Sequence, residues 1–460
     1  MSTPRPPLSP FAAAVGAAHR DGELVVQPRM GFPDAARMRE GLLAVRAARA
    51  RTVGTVTVDS YTRVGDHASA RAALDAGTDL NGYPIVAHGP AALRRMLDGL
   101  LGGACDDGKP GDGEPGSDHP DDAEPGGSEP GFAVQIRHGS ADPLPIVETL
   151  LAAGLDATEG GPVSYCLPYS RTPLADAVSA WARACELLAE RSGGTAHLES
   201  FGGCLLGQLC PPSLLVAMSV LEGLFFRRYG LRSVSLSYAQ QTSPAQDAEA
   251  LAALRLLAAE YLPGLDRHLV LYSYMGVFPR SRHGALALLR AGAELAARTG
   301  VERLIVKTPA EAHRIPAVQD SVLALEVAAA AARSTPPSYG APDDREFGVL
   351  AEARALVEAV LELAPDIGTA LIRAFRTGLL DVPYCLHADN ANRSRGFIDG
   401  LGSLQWRTAG AMPVRTAAAG PEARAPRAEE LIDMLSYVQR AYDQGARISP
   451  GAPTPLKERS

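Results

Sequence analysis

The chain is 460 residues long, 46% hydrophobic and 21% charged, the composition of a soluble globular protein with a sizeable core. Its formal charge of −8 comes from one place: residues 105–130 hold nine acidic residues and one lysine, which leaves the rest neutral and without a basic field for nucleic acid. No apolar run reaches the ~18–20 residues that span a bilayer, and MSTPRPPLSPF has no apolar signal core, so a cytoplasmic protein is expected.

In chain order, short apolar runs alternate with longer amphipathic ones. ELVVQ, VGTVTVDS, YPIVAH, FAVQI, VSYCL, AHLES, SVSLS, HLVLYS and RLIVK read as strands. Between them lie helical patterns such as DAARMREGLLAVRAA, PLADAVSAWARACELLAE, SLLVAMSVLEGLFFRRYG, DAEALAALRLLAAEYL and GALALLRAGAELAARTG. Apolar strands separated by helices of this length imply parallel βαβ units, and about eight repeats predict a closed (β/α)8 TIM-type barrel. Nine candidates for eight strands mean that at least one is misread or lies outside the barrel. A doubly wound sheet is the alternative, but no GxGxxG loop opens a helix after a strand.

Residues 102–131 are rich in Gly, Pro, Asp and Glu and nearly devoid of apolar side chains. Such a segment cannot offset its ordering entropy and is expected to be a disordered surface insertion. The barrel is expected over residues 1–340. From 341 to 460 the pattern becomes an α-rich C-terminal extension packed on it: two helices (DREFGVLAEARALVEAVLEL and IGTALIRAFRTG), an irregular stretch, then a final helix, AEELIDMLSYVQRAYDQG.

The polar residues after the apolar strands carry the functional information. Arg29 follows ELVVQP, Arg63 follows VTVDSYT, Arg137 follows FAVQI and Lys307 follows RLIV; Glu159 lies in DATEGG, ahead of Tyr165 and Tyr169. In a barrel the C-terminal strand ends converge on one mouth. Arginine offers a planar fork matching a carboxylate and keeps its charge. One arginine could pair with Glu159. Three against one glutamate leave positive charge that a dianionic ligand would neutralise, and an amino-acid ligand adds an ammonium for which Glu159 is the acceptor. Tyr165 and Tyr169 can donate to carboxylate oxygens. Taken singly, each has a plainer reading: an arginine in a surface salt bridge, a packed tyrosine, a solvent-facing lysine, an EGG or FGG that is a positive-φ turn.

Other constellations are weak. The six cysteines form no CxxC pair and read as reduced thiols. No HxH, HExxH or GxSxG occurs, and no metal site is expected. His138 could be a base, an adenine contact or a structural hydrogen bonder. Cys166 is a conceivable nucleophile with no evident base beside it.

The motifs QPRMG, DSYTR, LNGYP, QIRHG, TEGG with Ser164, Tyr165 and Tyr169, ESFG, MGVFP and VKTPAEA run in order from about residue 25 to 315, with weaker similarity (DVPY, LQW, GAMPV) to about 415. On these residues the chain resembles the epsilon (large) subunit of methylaspartate mutase, the glutamate mutase family. The resemblance implies a barrel subunit that rearranges L-glutamate to threo-3-methylaspartate by radical migration, with adenosylcobalamin shared with a separate small cobalamin-binding subunit. It also implies a self-dimer within a heterotetramer. Carried over by motif, Arg29, Arg63 and Arg137 resemble the clamp on the substrate carboxylates, Glu159 the acceptor of the amine, and Tyr165 and Tyr169 the tyrosines that hold substrate. Lys307 and Glu311 resemble the pair at the adenosyl ribose, and Asn81, Phe201 and Met275 match cofactor-pocket positions.

None of the ten histidines sits in a DxHxxG signature, as a cobalt ligand would; Asp266-Arg267-His268 has Leu271 where glycine is required. A separate partner is therefore expected. SYAQQT at 237–242 and the acidic insertion depart from the family pattern. They leave open a related mutase on another amino or dicarboxylic acid, or a non-catalytic barrel subunit.

Overall fold

The computed structural model describes residues 8–101, 131–205, 209–336, 348–417 and 426–445. Eight parallel strands form the barrel: β1 (Val25–Pro28), β2 (Gly54–Thr57), β3 (Val134–Arg137), β4 (Ala157–Gly160), β5 (His197–Ser200), β6 (Ser233–Ala239), β7 (Asp266–Tyr272) and β8 (Arg303–Val306). They are hydrogen-bonded in the order β1-β8-β7-β6-β5-β4-β3-β2. The β1–β2 seam is crossed by Val26 N–H to Arg51 O at 2.9 Å and Thr57 N–H to Met30 O at 2.8 Å. The chain therefore builds the expected α/β barrel, with helices on the outside.

The helices start where side chains satisfy their free N–H groups. Asp34 accepts from Arg37 N–H, Asp59 from Tyr61 and Thr62 N–H, Ser243 from Gln246 N–H, and Ser281 from Gly284 N–H. The helix Pro10–Arg20 closes the bottom of the barrel, packing Phe11, Val15 and Ala18 against Val25, Val53, Ala133 and Ala157.

Above that plug the interior is polar. Arg303, wholly buried, donates to Glu199 and Gln27, and to Ser235 at 3.0 Å. Gln27 reaches Thr55 at 2.8 Å and Gln135 at 2.9 Å. Every hydrogen-bonding group in this layer is thereby engaged with a neighbour, which is the condition for holding charge in a dry core.

Two strand expectations are corrected. YPIVAH makes a single bridge at Tyr83, and from Ile85 it is the helix Ile85–Leu97, kinked at Gly89; the buried first turn of a helix and a short buried strand show the same apolar run. VSYCL is a series of turns: the Val163 and Ser164 N–H groups point at a buried carboxylate, and those of Tyr165, Cys166 and Leu167 at carbonyls within the turn, rather than at a neighbouring strand. The strand the pattern hid is β4, whose sequence, ATEG, has neither an apolar run nor alternation; it forms through its ladders to β3 and β5.

Beyond the barrel, the helix Val349–Leu361 packs on the helices Pro212–Arg228 and Pro244–Tyr261. Strands β9 (Arg395–Ile398) and β10 (Leu404–Thr408) pair antiparallel, and the Gln246 amide clamps the Leu404 backbone, accepting at 2.9 Å and donating at 2.8 Å. The expected final helix is two, Ala428–Leu435 and Tyr437–Asp443, broken at Ser436. The acidic insertion lies outside the described residues.

Candidate functional site

A cavity of about 630 Å³ opens at the C-terminal ends of the strands. Its wall includes Arg29, Arg63, Arg137, Glu159, Tyr165 and Tyr169, and also Asn81, Phe201, Met275 and Glu311. Lys307 stands behind the wall, its Nζ 3.1 Å from Glu311 and over the Phe278 ring at 4.8 Å.

Arg137 ends β3 and Glu159 lies in the next strand, so adjacent strand ends place them together. Arg137 Nε is 2.6 Å from Glu159 Oε2, with both side chains buried. Arg137 Nη2 reaches the Tyr272 hydroxyl at 3.4 Å, and Nη1 has no partner. Glu159 is held at both oxygens: Tyr165 OH donates to Oε1, and Tyr272 OH lies 2.8 Å from Oε2. Burial alone would lower the Arg137 pKa; Glu159 reverses this and holds the guanidinium charged.

Arg63 sits on the one-turn helix Ser60–Arg63, started by Asp59 after β2. Its aliphatic stem lies against Gly139, where a Cβ would come 2.9 Å from Arg63 Cδ and where φ is +77°. Arg29, just past β1, is 3.9 Å from Glu311 and 3.8 Å from Met275 Sδ. Among the described residues, Arg29, Arg63, Arg137 and, behind them, Lys307 stand with the carboxylates Glu159 and Glu311, a surplus of two positive charges. Arg314, also on the wall, is neutralised by Asp320 at 2.6 Å. Burial, with Arg29 adding to it, lowers the Lys307 pKa against the pull of Glu311.

His138 is neutral. Burial, then the Arg63 charge, pushes its pKa down to about 3. Its Nδ1 accepts from Ser140 N–H at 3.0 Å, which puts the proton on Nε2, a buried atom on the side of the Glu159 backbone. A neutral imidazole, not a base, therefore stands in the cavity wall. Cys166 is buried, and burial raises its thiol to about 11, which works against a nucleophilic thiolate.

The tyrosines divide. Tyr165 is buried, its hydroxyl spent on Glu159 rather than free for a ligand. Tyr169 is at the rim, 38% exposed, edge-on to Tyr165 with ring centres 6.1 Å apart. The two glycines between Glu159 and these tyrosines are places of close approach. At Gly160, φ is +137° and a Cβ would strike Trp181 at 2.4 Å; at Gly161, a Cβ would meet the Glu222 carboxylate at 2.1 Å.

Sequence reasoning missed Tyr272 and Glu199. The Tyr272 hydroxyl also contacts Glu199, joining the Arg137–Glu159 pair to the polar layer around Arg303. The available signal was a tyrosine at the C-terminal end of an apolar strand, HLVLYS, and a glutamate inside a buried one, AHLES.

The residues fit the sugar of a nucleoside-type cofactor. Glu311, 19% exposed, offers a carboxylate acceptor to a diol and Lys307, paired with it, an ammonium donor, in a cavity whose wall also has the apolar side chains Phe201 and Met275. Among the described residues no cluster of His, Cys, Asp or Glu could hold a metal ion, and no helix is long and apolar enough to cross a membrane.

A family model described as methylaspartate mutase E chain matches residues 6–104 and 129–439, skipping the acidic segment. The chain is similar to the glutamate mutase epsilon subunit of Escherichia coli O157:H7, 30% identical over 424 residues, 88% of this chain and 81% of that one. To the same subunit of Halobacterium salinarum it is 32% identical over 396 residues, 82% and 75% of the two chains. To that of Treponema denticola it is 26% identical over 427 residues, 89% and 81%.

Proposed function

The chain belongs to the methylaspartate mutase E chain family, and from that premise we propose that it is the catalytic subunit of an adenosylcobalamin-dependent glutamate mutase. It interconverts L-glutamate and threo-3-methylaspartate, an isomerisation of the carbon skeleton. The observation that carries the reading is the charge pattern of the cavity: a net surplus of positive charge from the arginines, which suits a dicarboxylate, with one buried carboxylate, Glu159, set among them where an ammonium can sit.

In this reading Arg29, Arg63 and Arg137 hold the two substrate carboxylates. Arg137 keeps its Nε on Glu159 and turns the unpartnered Nη1 to the ligand. Glu159, fixed by Tyr165 and Tyr272, takes the ammonium without having to move. Tyr169 covers the substrate from the rim. Bound adenosylcobalamin supplies the organic radical that begins and ends the rearrangement. Lys307 and Glu311 would hold its ribose, with Asn81, Phe201 and Met275 around it. Holding both ends of the substrate keeps its migrating fragment within reach of recombination. The walls of the mouth keep water from the reacting carbons.

The epsilon subunit's name in its relatives implies a further subunit. With no DxHxxG histidine in its own sequence, this chain takes its cobalamin on a separate small subunit, in a heterotetramer built on a self-dimer. The test is reconstitution of the full chain with a cobalamin-binding mutase subunit and adenosylcobalamin, following L-glutamate for 3-methylaspartate. Product that needs all components supports the reading. Turnover without cobalamin contradicts it, and turnover of another acid in place of glutamate favours a related mutase.

A further inference from the structure

Behind the cavity wall lies a carboxylate that none of the functions above uses. Glu222 sits in the middle of the helix Pro212–Arg228, where every residue from Pro212 to Phe226 is buried. A glutamate there is costly unless its oxygens are satisfied. Among the described residues it has no cationic partner; its hydrogen bonds come instead from the turn that follows β4 and from the end of β5. Oε1 accepts the backbone N–H groups of Val163 at 3.2 Å and Ser164 at 2.9 Å. Oε2 accepts the hydroxyls of Ser164 at 3.0 Å and Ser200 at 2.8 Å.

The turn is built to come this close. Gly161 faces the carboxylate where any Cβ would sit 2.1 Å from it. The residue after Ser164 is Tyr165, whose hydroxyl holds Glu159, and Tyr169 follows at the rim. The residue after Ser200 is Phe201, on the cavity wall. One buried carboxylate thus ties down both segments that carry aromatic side chains into the site. Burial pushes its carboxyl up to about 7, against the pull of the four donors, which favour the ionised form.

We propose that Glu222 is a positioning residue for the reaction. It latches the 161–169 turn so that Tyr165 holds Glu159 ready for the substrate ammonium. The inference rests on the proposed mutase reading for its link to L-glutamate, but the latch itself is a property of the chain alone. The geometry also predicts which substitution preserves it. In Glu222→Gln the amide oxygen can take the place of Oε1 and accept both backbone N–H groups. The amide NH2 then faces two serine hydroxyls, which can turn to accept. Glu222→Leu keeps the volume and the apolar fit of the helix but leaves all four donors unmet.

The experiment compares these two variants in the full chain. Hydrogen exchange at the Val163 and Ser164 amides is measured first, without any cofactor. KM and kcat for L-glutamate are then measured with the cobalamin-binding subunit and adenosylcobalamin. The expected result is lost protection of both amides in Glu222→Leu, with KM raised about tenfold or more and kcat lowered less, since displacement of a positioning group by ~1 Å costs up to a hundredfold. Glu222→Gln keeps the protection and stays within about threefold of the parent chain. A Glu222→Leu chain with unchanged KM overturns the proposal, as does a Glu222→Gln chain that fails as badly as Glu222→Leu. Should Glu222→Leu not fold, Ser164→Ala and Ser200→Ala each remove one donor: a raised KM in either supports the latch, and unchanged KM in both overturns it. Absence of turnover by the parent chain would count against the mutase reading, while the exchange comparison still decides the latch.

Discussion

The Tyr272 hydroxyl lies 2.8 Å from Glu159 Oε2, although the two residues stand three strands apart around the barrel. The same hydroxyl contacts Glu199, which pairs with Arg303 in the barrel interior. Through that single phenol the carboxylate proposed to receive the substrate ammonium is tied to the polar layer that fills the barrel.

Tyr272→Phe removes the tie without changing the packing. Glu159 and Glu199 lose the one phenol proton they share, at a cost of about 1–3 kcal/mol for a buried charged acceptor. The expected outcome is a KM for L-glutamate raised about tenfold with the fold intact, checked by steady-state kinetics beside circular dichroism.

Arg137→Lys keeps the charge but loses the fork. A single ammonium cannot serve Glu159 at 2.6 Å and a ligand carboxylate in the geometry that Nε and Nη1 now share. Loss of charge-assisted hydrogen bonds worth about 1.5–3 kcal/mol predicts kcat/KM lowered by about ten- to a hundredfold. Unchanged kinetics would remove Arg137 from the clamp.

The Arg303–Glu199 pair has no exposed surface at either side chain. Arg303→Met strands a buried carboxylate and is expected to cost about 3–5 kcal/mol, read from urea denaturation. Adding Glu199→Gln to the same chain should recover part of that loss, because the stranded charge is gone. No recovery would mean that packing, not charge, dominates this layer.

Asp156 accepts from Ser9 at 3.2 Å, and burial raises its carboxyl to about 6 from 3.8. Between those values the folded chain holds a proton that the unfolded chain has released, so this residue's contribution to stability falls as pH rises from about 4 to 6. Asp156→Asn does not titrate. On moving from pH 7 to pH 4 the parent chain should gain up to about 3 kcal/mol relative to the variant. Stability curves that run parallel across this range would rule the effect out.

Much of the barrel was legible because seven of its strands are apolar enough to stand out between amphipathic helices. β4 was not, because Ala-Thr-Glu-Gly gains its place from two neighbours rather than from its own residues. The arginines and Glu159 were legible as a set because strand ends in this fold converge. Their partners were not. Tyr272 and Glu199 sit in runs that read as ordinary buried strand, and which side chain faces inward depends on a register that a single sequence does not fix. Glu222 left one trace: a lone carboxylate in SLLVAMSVLEGLFFRR, a helix apolar on all sides, where a charge has to be buried and so has to be satisfied.

The most direct test of the central claim follows carbon. L-Glutamate labelled with 13C at C3 is given to the full chain, the cobalamin-binding subunit and adenosylcobalamin, and the mixture is read by NMR. Migration of the glycyl fragment from C3 to C4 turns the labelled carbon into the methyl group of 3-methylaspartate, and that methyl signal should grow with the chain present and stay absent without cobalamin. Label that remains in glutamate, with a partner subunit proven active on a known epsilon subunit, would contradict the assignment.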